Sequence, residues 1–295
     1  MKEFINFNSS KISWFRCGGD IELFIIVETL EELQNVYRKY NNYFIENKVV
    51  FIGAGSNILI REKGFKGIAI KLTGNFSDIK ITKEDNESCF INAGCSVLSK
   101  QLSNYIINNN FIGCEFLDTI PGSIGGMVKM NAGCFGKEIK DILYSVDIFK
   151  DGVVKTYLKD EIDFSYRHSD IADNSVVLSA TFIAKKGTEE EVLNSKNKIE
   201  EMRNNRKENQ VIGFTCGSTF KNPAGYSVWK LLDEVGMRGY KIGDAEFSNK
   251  HCNFIINNGK ATASDIENLI NTAKQKVKEK FNIELEVEIR IFGER

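Results

Sequence analysis

Short apolar runs bounded by glycine dominate the first half of the chain. IELFIIV at 21 to 27 and VVFI at 49 to 52 predict strands on either side of a helix over 29 to 40, where Leu30, Leu33, Val36, Tyr37 and Tyr40 recur at helical spacing. GIAIKL (67 to 72), IKIT (79 to 82) and CFINAG (89 to 94) read as further strands, and Val97 to Asn108 as a helix burying Leu98, Leu102, Tyr105 and Ile106. After a glycine-dense stretch, residues 144 to 158 predict a hairpin, because Asp151-Gly152 supplies a positive-φ turn between two alternating segments. VVLSATFIA (176 to 184) is another strand. The pattern then changes: residues 188 to 209 are charged, with Val192, Ile199 and Met202 as a narrow apolar face, which predicts a solvated helix and a domain boundary. Beyond it come a short helix (228 to 235), a strand (251 to 257), a helix opening at Ser264-Asp265, and a closing strand over 283 to 292. Strict alternation in that last strand assigns Ile283, Leu285, Val287, Ile289 and Ile291 to a buried face and Glu284, Glu286, Glu288 and Arg290 to the other. Strand and helix do not alternate throughout, so the fold class is α+β, with domains over 1–186 (lobes of roughly 1–72 and 73–186) and 187–295.

The charge balance narrows the partners. The 295 residues carry 39 Lys+Arg against 40 Asp+Glu, so no basic excess exists to grip nucleic-acid phosphates. With 42% hydrophobic and 27% charged residues the chain reads as an ordinary globule rather than a disordered one. No apolar run approaches the ~20 residues of a membrane span, and MKEFINFNSS has no signal-like apolar core, so no membrane insertion and a cytoplasmic location are expected. Seven cysteines with no C-x-x-C pair predict reduced thiols, and two histidines cannot assemble the usual zinc spacings, so no metal is expected.

Three stretches could carry chemistry. Gly53-Ala54-Gly55-Ser56-Asn57 follows a strand, but Ile58 stands where a dinucleotide fingerprint needs its third glycine; the turn is either an anion-binding nest or a plain tight turn. Pro121-Gly122-Ser123-Ile124-Gly125-Gly126, with Asn131, Gly133 and Gly136 beyond, concentrates glycines whose entropic cost calls for a reason such as close approach to a cofactor; an irregular packed loop is the alternative. It is not a P-loop, which would need glycine at Asn131 and a hydroxyl at Glu138. In Cys216-Gly217-Ser218-Thr219-Phe220-Lys221-Asn222, a glycine sets a serine hydroxyl in a tight turn beside a cation and an amide, with no nucleophile elbow. Taken singly, Ser218 could be a turn residue, Tyr166-Arg167-His168 a solvated loop and Glu288 an exposed strand position.

Together, SWFRCGGDIELFI, FIGAGSNILI, GCEFLDTIPGSIGGMVKMNAGCFG, FSYRHS, the stretch from CGSTFKNPAGY through GKATASDI, and LEVEIRIFGE resemble the UDP-N-acetylenolpyruvoylglucosamine reductase family over nearly the whole chain. The resemblance implies a two-lobed FAD-binding domain of the vanillyl-alcohol-oxidase type and a smaller α+β substrate domain. It implies non-covalent FAD held by Gly53, Ala54, Gly55, Ser56, Asn57, Pro121, Gly122, Ser123, Gly125, Gly126, Asn131 and Gly133. NADPH would reduce the flavin, and hydride would pass from flavin N5 to the vinyl carbon of UDP-N-acetylglucosamine enolpyruvate, yielding UDP-N-acetylmuramate for peptidoglycan synthesis in a monomeric enzyme. Arg167 would bind the substrate carboxylate, Glu288 would hydrogen-bond the developing enol, and Ser218 would protonate the α-carbon, with Lys221 or a water assisting. Tyr166, Arg206, Lys221, Asn222 and Arg290 would bind the rest of the substrate. The chain departs from the family pattern at Asp20, Asp118, Thr119, Met127, Lys129 and Asp244, and lacks an additional tyrosine loop, which places it in a shorter subclass. The competing expectations are an oxidase of the same FAD fold, with Cys17 as a covalent attachment point, and a catalytically silent FAD or nucleotide-sugar binding module.

Overall fold

The turn at Asp151-Gly152 is the two-residue hairpin that its sequence specifies: φ is 51° and 83° at the two residues, and Lys150 pairs with Val153 across it. Its arms, Leu143–Lys150 and Val153–Leu158, open a sheet that continues through Val176–Lys186, Ser88–Gly94 and Ile79–Glu84, all antiparallel neighbours, with Phe111–Ile112 also paired to the end of Val176–Lys186. This computed structural model describes residues 1–209 and 211–294. Along Val176–Lys186 the alternation puts Leu178, Ala180, Phe182 and Ala184 inside, and the six-residue helix Ile124–Lys129 lies against that strand. Fully burying a side chain such as Phe182 is worth about 2 to 3 kcal/mol.

The chain divides into two units. The first holds Met1–Glu3, Ile25–Ala54 and Ile68–Arg206; the second holds Phe4–Phe24, Gly55–Gly67 and the chain from Lys207 onward. In the first, Val49–Phe51 runs parallel to residues 68–70, Val49 pairing with Ile68 and Phe51 with Ile70. Helix Leu30–Lys39 begins at Thr29, whose hydroxyl accepts the Glu32 N–H, and buries Leu33 and Val36. The charged helix Glu189–Asn209 buries Val192, Ile199 and Met202, the narrow face that its spacing predicts.

In the second unit, Ile58–Ile60 runs parallel to Arg290–Phe292, and a three-stranded sheet joins Lys241–Ile242, Ala245–Phe247 and Ile255–Asn257. Helix Ala263–Phe281 starts at a reciprocal cap between Thr262 and Asp265 and buries Ile266, Leu269, Ile270, Ala273 and Val277. Its core gathers Phe15 and Leu59 with Phe220, Leu232, Phe247 and Ile266.

Four features differ from the pattern-based expectation. Leu98, expected on a buried helix face, precedes helix Ser99–Asn108 and is exposed. The closing strand is ladder only at Arg290–Phe292; before it, Val287 bridges to Phe220, and Glu288 and Arg290 are half-buried rather than on an open face. The N-terminal strand Lys2–Asn8, mostly exposed, has no clean alternation to announce it. The division by contacts follows long-range pairing instead of sequence order. Residues 4–24 and 55–67 belong with the C-terminal part because Ile58–Ile60 pairs with Arg290–Phe292 and Phe15 and Leu59 enter its core, and the boundary falls at 206/207, inside the helix expected to mark it at 187.

Candidate functional site

In the first unit the glycine loop surrounds one serine. Ser123 is the residue before helix Ile124–Lys129, is only 4% exposed, and its Oγ is buried without a hydrogen-bond partner. A Cβ built on Gly53 would fall 2.2 Å from that oxygen, and one on Gly126 would fall 4.0 Å away. Two residues without side chains therefore flank a donor left unused inside the protein. The neighbouring N–H groups of Ile124 and Gly125 are taken by the carbonyls of Val97 and Cys95, whereas the hydroxyl is not engaged. A buried hydroxyl without a partner costs about 1 to 3 kcal/mol, and a phosphate oxygen is the kind of acceptor that would satisfy it. These residues fit the FAD pyrophosphate expected there.

Asn131 and Gly133 are engaged differently from the sequence expectation. Asn131 is fully buried at φ 42°, its Nδ2 donates to Glu138 Oε2 at 2.9 Å and to the Ser165 carbonyl at 3.0 Å, and its Oδ1 accepts the Lys140 N–H. The side chain is committed to the protein, and the Asn131 N–H donates to the Val128 carbonyl at 3.1 Å. The Gly133 carbonyl accepts Arg167 Nη2 at 2.6 Å, and Arg167 Nη1 lies 3.6 Å from Glu138 Oε1. Arg167 sits in a two-residue turn, Ser165 pairing with His168, at φ 56°, and its guanidinium is 4.8 Å from the Tyr166 ring centre. Arg206 donates to the Thr119 carbonyl, and burial pushes its guanidinium below the ordinary arginine value.

In the second unit, Ser218, Glu288, Lys221 and Asn57 come together through backbone pairing. The Glu288 N–H donates to the Thr219 carbonyl at 2.8 Å, the Lys221 N–H to the Glu286 carbonyl at 2.9 Å, and Phe220 bridges Val287. On the other side the Thr219 N–H meets the Asn253 carbonyl and Ser218 bridges Phe254, so the serine segment runs as a middle strand. Gly217, at φ 80°, turns the chain into it. Asn57 Nδ2 donates to the Glu288 carbonyl at 3.1 Å, and the Asn57 carbonyl accepts the Arg290 N–H. Asn57, expected to touch cofactor, thus fixes the backbone on both sides of Ile289. Gly55, at φ 73°, has no room for a side chain, since a Cβ would fall 1.8 Å from the Ile12 carbonyl. Lys221 Nζ is 2.6 Å from Glu286, a pairing that sequence reasoning missed although Glu286 shares its strand face with Glu288. Asn222 is exposed, and its Oδ1 caps helix Val228–Glu234 by accepting the Val228 N–H.

Compared with known proteins, the chain is 39% identical over 293 residues to the UDP-N-acetylenolpyruvoylglucosamine reductase of Rickettsia bellii (strain RML369-C), covering 98% of this chain and 93% of that protein. This chain belongs to the UDP-N-acetylenolpyruvoylglucosamine reductase family. The reductase of Lachnoclostridium phytofermentans is 38% identical, with 97% of this chain and 91% of that protein covered. Residues 209–292 match the C-terminal domain of UDP-N-acetylenolpyruvoylglucosamine reductase and residues 21–156 an FAD binding domain. Among solved structures, the UDP-N-acetylenolpyruvylglucosamine reductase of Thermus caldophilus superposes with a TM-score of 0.82 at 30% identity, covering 99% of this chain and 98% of that one. The α+β architecture of an FAD-binding domain and a C-terminal domain is that of the reductase family.

Proposed function

We propose that the chain is a flavin-dependent oxidoreductase that reduces UDP-N-acetylglucosamine enolpyruvate to UDP-N-acetylmuramate with NADPH, in peptidoglycan precursor synthesis. The observation that carries this reading over other FAD proteins is the pairing of Glu288 with Thr219, which sets Ser218 and Glu288 on neighbouring strands within one residue of register. FAD, when bound, supplies the hydride. The chain supplies the rest. Arg167, with a planar fork matched to a carboxylate, holds the enolpyruvyl carboxylate. Glu288, as a carboxylic acid, donates a hydrogen bond where negative charge develops on the substrate. Ser218 hands its hydroxyl proton to the α-carbon. Arg206 and Lys221 are cations suited to the diphosphate, Lys221 with Glu286 also to replenishing that proton; Tyr166 and Arg290 are further candidates for binding the substrate, and Asn222 caps helix Val228–Glu234. Among the described residues no helix is long and apolar enough to cross a membrane; a cytoplasmic monomer acting on a soluble nucleotide sugar accords with that.

The test is an anaerobic titration in one cuvette. NADPH should bleach the flavin, and the enolpyruvyl substrate should restore its colour without oxygen. In Ser218→Ala, NADPH should still bleach the flavin while recolouring slows by about 100-fold or more, the range of general acid catalysis; equal loss of both steps would remove Ser218 from the donor role. Recovery only with oxygen would favour the oxidase reading or the silent module. Against a covalent flavin, Cys17 is buried, and burial pushes its thiol up to about 12, so acid precipitation should leave the protein colourless.

A further inference from the structure

Arg167 occupies the one position of its two-residue turn where a left-handed backbone is required, and it is not glycine. A non-glycine residue there is strained, and the conformation persists only where its surroundings impose it. The surroundings converge on Glu138. A tight hairpin, Gly133 pairing with Glu138 and Cys134 with Lys137, turns through Phe135 (φ 52°) and Gly136 (φ 76°) and brings Glu138 back beside Gly133. There the absence of a side chain matters: a Cβ on Gly133 would fall 2.9 Å from Glu138 Cγ and 2.2 Å from the Lys137 carbonyl. Glu138 passes through that space and divides its two oxygens. Oε2 takes Asn131 Nδ2 at 2.9 Å and faces Lys140 Nζ at 3.2 Å, while Oε1 lies 3.6 Å from Arg167 Nη1. Arg167 Nη2 is held at the Gly133 carbonyl, and Asn131 reaches the Ser165 carbonyl at the start of the arginine turn.

The geometry points to Glu138 as the positioning residue that presents Arg167 to the carboxylate of the substrate, with Asn131 and Gly133 as the other fixed points of the same clamp. This rests on the proposed reductase reading. Glu138 touches neither substrate nor cofactor; it acts by fixing the fork of Arg167 before substrate arrives, so that the ordering cost is met in the folded protein and not on binding.

Glu138→Gln keeps the length, the hairpin packing and an acceptor for Asn131, and removes the charge that faces Arg167 and, on the more exposed side, Lys140. Its KM for UDP-N-acetylglucosamine enolpyruvate should rise about tenfold, and recolouring of the reduced flavin should slow to match, the size expected for one charge-assisted contact. FAD content and the rate of bleaching by NADPH should stay at wild-type values. The decisive readout is inhibition by UDP-N-acetylglucosamine, which lacks the carboxylate: its Ki should not change, whereas a merely structural lesion would weaken both ligands alike. Wild-type KM in Glu138→Gln, or an equal loss for the carboxylate-free ligand, overturns the assignment. If wild-type protein itself fails to pass electrons to the enolpyruvyl substrate, the reductase reading falls and takes this assignment with it.

Discussion

Replacing Ser123 by alanine should move apoprotein stability and cofactor affinity in opposite directions. In the folded chain the Ser123 hydroxyl is buried beside Gly53 with no hydrogen-bond partner. Removing an unsatisfied buried hydroxyl recovers much of its desolvation cost, so apo Ser123→Ala should be more stable than wild type by about 1 to 2 kcal/mol. If the hydroxyl binds a cofactor phosphate, the same change removes a charge-assisted hydrogen bond worth about 1.5 to 3 kcal/mol, which weakens FAD binding by roughly 10- to 100-fold. Linkage then fixes the outcome for holoprotein. At an FAD concentration one hundred times the wild-type Kd, the cofactor adds about 2.7 kcal/mol to wild type, about 1.4 to a variant weakened tenfold and about 0.4 to one weakened a hundredfold. The advantage of the variant should shrink to near zero or reverse. Urea unfolding of apo and FAD-loaded protein, with Kd from quenching of flavin fluorescence, measures every quantity. An apo variant no more stable than wild type, or an unchanged Kd, would refute the assignment of this hydroxyl to the cofactor.

Two further perturbations probe the first unit. Asp118 has a side chain only 1% exposed, held by Arg203 through bonds of 2.7 and 2.6 Å; Arg203→Ala leaves that carboxylate without its cation and should cost about 2 to 3 kcal/mol in urea unfolding, and a loss under 0.5 kcal/mol would show the pair to be incidental. Burial raises the Glu115 carboxyl, but the Gly113 N–H and the Ser195 hydroxyl at 2.7 Å outweigh it and leave its pKa lowered. A lowered folded-state pKa contributes stability above the unfolded value near 4.5 and loses it as pH falls through the folded value. Wild type should therefore exceed Glu115→Gln at neutral pH, with the gap closing in acid; a gap constant from pH 7 to 3 would contradict this.

What the sequence reveals depends on how local the deciding interaction is. The hairpin at Asp151-Gly152 and the capped helix at Thr262 are legible because the turn and the cap are encoded within four residues of each other. The identities of Ser218, Arg167 and Glu288 are legible through their motifs, yet the contacts that hold them are not. Glu288 looks like an exposed strand position until Asn57, 231 residues away, is found holding its carbonyl. Glu138 sits in a charged stretch, GKEIKD, indistinguishable from a solvated surface, and gains its role only when the Phe135-Gly136 turn carries it back past Gly133. Asn131 was legible as special but not in kind, since sequence cannot tell an amide that meets a cofactor from one spent on its neighbours.

The interleaving of the two units sets the order in which the protein can come into being. The second unit needs Phe15 and Leu59 together with Phe220, Phe247 and Ile266, and its strand Ile58–Ile60 has, among the described residues, no strand partner until Arg290–Phe292 has been made. While the chain emerges from the ribosome, the early segments of that unit stay exposed through the synthesis of everything between them. A chain stopped before Arg290 has nothing to close that ladder, and a fragment beginning after Arg206 lacks Phe15, Cys17 and Leu59, three of the side chains its own core is built around.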